Sequence, residues 1–341
     1  MILVTGGTGL VGSHLLYQLA LTNDSIRAIH RKTSDIHYVK HVFSYFTDIE
    51  NARKLYEKIT WIEADINDIP ALDKAFEGVK QVYHCAAVVS FASKDYQLMR
   101  KVNIEGTANI VNLSLSHNVD KLVHISSIAT IEKKEGSDTI TEENEWDSEK
   151  NNYGYAISKF GAEMEVWRGG QEGLRVVIVN PGVIFGNGFW KLGPNALLDK
   201  VANGFQFYTE GVTGFVTAND VAKAMLILMQ SNINNERFIL VNKNVSFKAL
   251  MHLFAKNLQV KPAEIHAKPW ITEVVWRLDA LKSFFTRKLP LITKHSSRVS
   301  HSKYHYSSDK IKALTTFEFA DFDSEIKAIC TNYLNDKKKH K

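Results

Sequence analysis

Residues 2–12 read Ile2-Leu3-Val4-Thr5-Gly6-Gly7-Thr8-Gly9-Leu10-Val11-Gly12. An apolar strand, Ile2–Val4, runs straight into a glycine-rich turn. A helical pattern follows from Leu10 to Leu21, with apolar residues at Leu15, Leu16, Leu19 and Ala20. Gly7, Gly9 and Gly12 fit the spacing G-x-G-x-x-G, and Gly6, Gly9 and Gly12 fit the wider G-x-x-G-x-x-G. Glycine permits the tight turn, lets the backbone approach a pyrophosphate and seats the helix against the strand. The helix start offers unpaired N–H groups and the positive end of its dipole to the phosphate. A glycine turn without a ligand is the plainer alternative, and the strand–turn–helix context weighs against it.

Working outward, short apolar runs alternate with helical patterns. Strands are predicted at Ile2–Thr5, Ile26–His30, Thr60–Glu63, Gln81–Cys85, Lys121–Ser126 and Arg175–Asn180. Helices are predicted near Leu10–Leu21, Ile69–Phe76, Tyr96–His117 and Tyr155–Glu172. Such alternation gives an α/β protein with a doubly wound parallel sheet of the Rossmann type. After Pro181 the pattern loosens into a glycine-rich stretch and a helix at Ala196–Gly204. A strand at Gly214–Thr217 and a helix at Asp220–Gln230 then read as a return to the main sheet, followed by Glu236–Asn242. From Val245 onward the chain reads as helical and irregular. The organisation expected is a dinucleotide-binding domain from 1–185 with 213–242. A smaller, mostly helical C-terminal substrate lobe takes 186–212 with 243–341.

Bulk properties narrow the function. The 341 residues suffice for one large domain plus a lobe, and 45% hydrophobic with 23% charged residues is ordinary for a globular protein. The net charge of +5 is mild, and the basic end Lys337–Lys341 reads as a solvated, frayed terminus. No basic patch with interleaved aromatics points to nucleic acid. Cys85 and Cys330 stand far apart, so a reducing, cytoplasmic compartment is expected and a disulfide is not. The histidines are scattered, which argues against a metal site. The chain opens on its first strand, and no secretory leader is expected. No stretch reaches the ~18 apolar residues of a membrane span. Trp270–Ile292 comes nearest, with Ile271, Val274, Val275, Leu278, Leu281 and Phe285 at helical spacing among charges. It reads as an amphipathic helix over a pocket, with peripheral membrane contact as the alternative.

The second strand ends Ile29-His30-Arg31-Lys32-Thr33-Ser34. An acid at this point would bond a ribose 2′-hydroxyl, whereas an arginine accommodates a 2′-phosphate. Arg31 therefore favours NADP(H), with NAD(H) left open. Asp65 after the third strand could accept from an adenine amino group or simply hold a turn. The small residues Cys85-Ala86-Ala87 suit close approach of a cofactor, or buried packing. Tyr155 and Lys159 stand one helical turn apart. A nearby ammonium, with an oxidised nicotinamide, would favour the phenolate over a free value of about 10. Tyr155 could then exchange a proton with a substrate oxygen that Ser127 holds.

Taken in order, these motifs resemble the extended short-chain dehydrogenase/reductases. The matching stretches are Thr5–Gly12, Asp65-Ile66, Cys85-Ala86-Ala87, Asn103-Ile104-Glu105-Gly106-Thr107, Ser126-Ser127, Tyr155 to Lys159, Asn180-Pro181-Gly182 with Val183–Gly186, and Phe215–Ala222. They span roughly residues 1–242. The resemblance implies Ser127, Tyr155 and Lys159 as the catalytic triad, with Asn103 as a supporting asparagine. It implies Gly6, Thr8, Gly9, Leu10, Val11, Gly12, Arg31, Asp65, Ile66, Ala86, Ala87, Tyr155, Lys159, Pro181 and Val183 as cofactor-binding positions. It also implies a homodimer and a small-molecule substrate. The His30-Arg31 ending and the strand Leu122–Ser127 look most like the dihydroflavonol 4-reductase and 3β-hydroxysteroid dehydrogenase branch. Ile128-Ala129 stand where sugar-nucleotide dehydratases carry an acid pair. The expectation is a carbonyl reductase or alcohol dehydrogenase. The alternatives are a sugar-nucleotide epimerase holding NAD and a non-catalytic NADP(H)-binding protein.

Overall fold

A computed structural model describes residues 1–147, 153–286 and 293–339. Its centre is a seven-stranded sheet. The strands are β1 (Ile2–Thr5), β2 (Ile26–His30), β3 (Ile59–Glu63), β4 (Gln81–His84), β5 (Lys121–Ile125), β6 (Val176–Pro181) and β7 (Glu236–Leu240). They lie in the order β7-β6-β5-β4-β1-β2-β3, all parallel. Every residue of β1, β5 and β6 is buried, and the stretches Ile2–Val4, Leu122-Val123 and Val176–Val179 within them are apolar. The order reverses between β1 and β4, and a crevice opens at the C-terminal ends of those two strands.

Both faces are covered. On one lie α1 (Leu10–Thr22), the helix His37–Phe43 and the helix Ala218–Gln230, with Leu15, Leu16, Phe43, Met225 and Leu228 in the core. On the other lie Ile69–Phe76, Gly106–Ser116 and α2 (Gly154–Gln171), with Leu72, Phe76, Val111 and Val166. A third core fills the smaller lobe, where Phe185, Leu198, Phe215, Phe254, Ile326 and Tyr333 meet. Its C-terminal helix, Phe322–Lys339, is tied back by Asp336, which accepts from Trp190 Nε1 at 2.9 Å and from the Tyr45 hydroxyl.

Three sequence expectations need correction. Gly214–Thr217 does not rejoin the main sheet. The strand Val212–Thr217 pairs instead with Val183–Phe185 and Lys243–Ser246 in a separate three-stranded sheet. The backbones of Gly182 and Gly214 meet so closely that a Cβ on Gly182 would lie 2.4 Å from the Gly214 carbonyl oxygen. The edge of the large sheet is filled by β7. Second, Tyr96–His117 is not one regular helix, because a π-helical segment, Arg100–Glu105, interrupts it. Third, the basic end is not frayed through Lys339. Lys337 donates to Asn203 at 3.1 Å and lies 3.6 Å from Asp199. Residues 340 and 341 lie outside the described residues. The predicted Trp270–Ile292 helix is described as α3 (Pro269–Thr286), and 287–292 also lie outside.

Candidate active site

The glycine turn is shaped by backbone contacts that exclude other residues. Gly6 has φ +67°, and a Cβ there would lie 2.6 Å from the Ala86 nitrogen, so the turn presses directly on the end of β4. A Cβ on Gly12 would lie 2.1 Å from the Gly6 carbonyl oxygen, which lets α1 start hard against the strand. Gly9 N–H donates to Gly6 at 3.0 Å. Gly9 caps α1 without a side-chain bond, and no acid stands in the first turn. The N–H groups of Leu10 and Val11 therefore face outward at a positive helix end beside the exposed Gly9. Thr5, at the end of β1, accepts from the Cys85 and Ala86 nitrogens at 3.2 and 3.1 Å, locking β4 alongside. This cradle fits a dinucleotide pyrophosphate.

At the adenosine end, Arg31 and Lys32 are exposed just past β2. The Arg31 carbonyl accepts from Ser34 N–H at 2.9 Å, but its guanidinium has no hydrogen-bond or ion-pair partner among the described residues, and no acid ends this strand. Asp65 spends one carboxylate oxygen on its own turn, accepting from the Asn67 nitrogens at 2.9 and 3.0 Å. Ile66 packs in the core, 2.5 Å from where a Cβ on Gly106 would stand. Ala86 is half-buried and Ala87 exposed. Pro181 ends β6, and Val183 opens the next short strand.

The chemistry-bearing residues meet past β5, at the start of α2. Ser127 follows β5, and its hydroxyl accepts from Ala129 N–H at 3.1 Å. Tyr155 is in the first turn of α2. Burial pushes its phenol above the ordinary range, and the facing Ser127 hydroxyl opposes that rise. Lys159, one turn on, is buried, and its Nζ donates to the Ile125 carbonyl at 2.6 Å. Burial lowers Lys159 to about 8, while Glu163 and Cys85 pull it back up. The expected lowering of Tyr155 by Lys159 does not hold in the protein alone. Burial dominates the phenol, and the ammonium is turned to the end of β5.

Asn103, within the π segment, has its amide fully engaged. Its Oδ1 accepts from Val88 N–H at 2.7 Å, and its Nδ2 donates to the Val88 carbonyl and Ser158 at 2.9 Å. It clamps the loop after β4 to α2 and spends no polar atom on the crevice.

Sequence reading missed a buried network behind the triad. Glu163 is fully buried, and its Oε1 accepts from Thr130 and from Asn180 Nδ2, both at 2.6 Å. Asn180 also donates to the Ser127 carbonyl at 3.1 Å. Arg237 lies 3.8 Å from the other Glu163 oxygen. The available signal was a carboxylate four residues past Lys159, on the same helix face. His84 and His124 stack beneath at 5.0 Å, and burial keeps both neutral.

A cavity of about 320 Å³ opens beside Tyr155. Phe91 stands 5.9 Å from the Tyr155 ring, and Tyr153 stacks on His295 at 3.4 Å. Helix α4 (Lys294–Val299) brings Lys294, His295 and Arg298 to its wall. Neither the Lys294 ammonium nor the Arg298 guanidinium makes a hydrogen bond or a close ion pair among the described residues, although Arg298 is near enough to Glu273 to favour its carboxylate.

Residues 2–241 match the NAD dependent epimerase/dehydratase family. A parallel sheet with a glycine cradle at its switch point, facing a Ser–Tyr–Lys cluster, defines a nicotinamide-dependent oxidoreductase, and the chain belongs to this family of short-chain dehydrogenase/reductase enzymes. Sterol demethylase protein B of Methylococcus capsulatus is 27% identical, over 88% of this chain and 88% of that protein. Dihydroflavonol 4-reductase of Callistephus chinensis is 25% identical, over 84% and 79%. The structure of UDP-glucose 4-epimerase from Thermotoga maritima superposes with TM-score 0.77 at 18% identity, covering 98% of this chain and 99% of that one, a likeness of fold alone. The enzyme binds a nicotinamide dinucleotide and acts by hydride transfer on a small molecule. No described helix is long and apolar enough to cross a membrane.

Proposed function

We propose that this enzyme interconverts a carbonyl and a secondary alcohol on a small, ring-bearing substrate with NADP(H). The observation that supports the reading is the placing of Ser127, Tyr155 and Lys159 together past β5 and at the start of α2, with Phe91 of the neighbouring aromatic-walled cavity 5.9 Å from the Tyr155 ring. Bound at the cradle, the dinucleotide supplies the hydride donor or acceptor. Ser127 and the Tyr155 phenol hold the substrate oxygen between them. The phenol gives its proton to that oxygen in reduction. Lys159, held by the Ile125 carbonyl and with its charge favoured by Glu163, keeps positive charge behind the phenol as the proton leaves. Exposed, unpartnered Arg31 supports a 2′-phosphate and hence NADP(H). From the C-terminal lobe, Thr293, Lys294, His295 and Arg298 wall the neighbouring cavity. The test is Tyr155→Phe assayed with NADPH on a panel of ketones and aldehydes. Turnover should fall by about 10²–10⁴ with dinucleotide affinity kept; unchanged turnover would remove Tyr155 from this role.

A second reading is a sugar-nucleotide epimerase. The matching family's own description, NAD dependent epimerase/dehydratase, favours it. So do Lys294 and Arg298 on the cavity wall, which suit a diphosphate. It expects tightly held NAD after purification and conversion of a nucleoside diphosphate sugar without added cofactor. The residues at Arg31 and Ile128-Ala129 weigh the other way. Mass spectrometry of any retained dinucleotide separates the two.

A further inference from the structure

Helix α3 leaves a large apolar face uncovered. Trp270, Val274 and Leu278 are 66%, 49% and 61% exposed, and their i, i+4, i+8 spacing puts them on one side. The inner side is anchored: Thr272 is buried and bonds to His301 at 2.8 Å. The two-residue strand Ile265–His266 precedes α3 by two residues. There Ile265 pairs in register with Phe207, both exposed, with exposed Phe205 beside them. Single exposed apolar residues are ordinary, but three aromatics and three aliphatics exposed on α3 and the short strand pair just before it mark a docking surface.

Charge says what docks. From Lys261 to Arg298 the sequence holds eight Lys or Arg against three acids. That difference equals the whole chain's net charge of +5, so the remainder of the protein is balanced. Lys261, Lys268, Arg277 and Lys294 are all exposed, and Arg277 shares its charge with Glu273 at 2.6 Å. A second copy packed here would set like charge against like. An apolar face rich in aromatics and rimmed with cations fits a bilayer interface carrying anionic headgroups. We propose that the outer face of α3, with the adjoining Phe207–Ile265 edge, docks this protein on an anionic lipid surface. Because α3 packs on α4, which walls the active-site cavity, the cavity would lie next to the docked lobe. This inference does not depend on whether the substrate is a ketone or a nucleotide sugar.

The experiment is cosedimentation of the full chain with vesicles of phosphatidylcholine alone or mixed with phosphatidylglycerol, at low and high salt. Binding should require phosphatidylglycerol, weaken with salt, and blue-shift tryptophan emission. The double variant Trp270→Glu with Leu278→Glu should bind at least about tenfold more weakly while keeping wild-type dinucleotide affinity, which shows that it is folded. Absence of binding to the mixed vesicles overturns the proposal. So does full binding by the double variant. An oligomer in sedimentation equilibrium that this variant dissociates, without vesicle binding by the wild type, assigns the face to a second copy and equally overturns it.

Discussion

Asn180 donates its side-chain amide to the Glu163 carboxylate at 2.6 Å, and the same nitrogen reaches the Ser127 carbonyl at 3.1 Å. One buried acid thus holds the backbone that carries Ser127, the proposed catalytic serine. It also stands one helical turn from Lys159, whose positive charge it favours. The other titratable groups facing Lys159 are Cys85, His84 and His124, all kept neutral by burial. Removing the acid should therefore act through Lys159 and not merely through packing.

Glu163→Gln keeps an oxygen for Thr130 and Asn180 but removes the charge. Lys159, already lowered to about 8, loses a group that raises it and deprotonates at lower pH. The alkaline limb of the kcat profile should move down by about one pH unit. A profile that only drops in height, with its limbs unmoved, would assign Glu163 a purely structural role.

Gly12→Ala forces a methyl group into the Gly6 carbonyl oxygen, so α1 must back away from β1. Dinucleotide affinity should fall at least about tenfold, about 1.4 kcal/mol. Fluorescence titration against the wild type checks this. Gly78→Ala is the matched control, since a Cβ there meets nothing within 4 Å. It adds only local strain at φ +70° and should leave affinity unchanged.

Asn103→Ala cuts the clamp between the loop after β4 and α2. The Val88 N–H and carbonyl both lose their side-chain partner. Each buried orphan costs about 1–3 kcal/mol, so the variant should lose about 2–4 kcal/mol of stability in denaturant unfolding. A fully stable variant that is nevertheless inactive would instead place Asn103 in the chemistry.

Buried neutral histidines make the fold acid-sensitive. His14 is lowered to about 4 and His84 to about 3, both by burial. Below the unfolded value of about 6.5, the unfolded chain binds protons that the folded chain refuses. Their contribution is intact above that pH and is lost progressively as pH falls toward 4 and below. His14 alone accounts for about 3 kcal/mol by this linkage. The melting temperature should decline steeply below pH 6.5; a flat profile down to pH 4 would contradict the burial of these rings.

Much of this was legible in the chain because central parallel strands are continuous apolar runs, and Ile2–Thr5, Ile26–His30 and Ile69–Phe76 fall where their patterns place them. The glycine turn was legible because steric exclusion at Gly6 and Gly12 leaves a residue-level mark. Gly214–Thr217 was misplaced because an apolar strand carries no label for which sheet it joins. The π segment was invisible because what bends it is a distant loop, through Asn103 and Val88. Glu163 was overlooked because its partners, Thr130, Asn180 and Arg237, are brought together only by tertiary packing. The burial that raises the Tyr155 phenol in the protein without dinucleotide was not legible, because no local spacing reports it.

The most direct test is side-by-side fluorescence titration of wild type and Arg31→Ala with NADPH and NADH. The account predicts binding through the glycine cradle, a clear preference for NADPH, and loss of that preference in Arg31→Ala. Preference for NADH would contradict the Arg31 reading and favour the epimerase. Failure to bind either dinucleotide, in protein purified free of nucleotide, would contradict the account at its root.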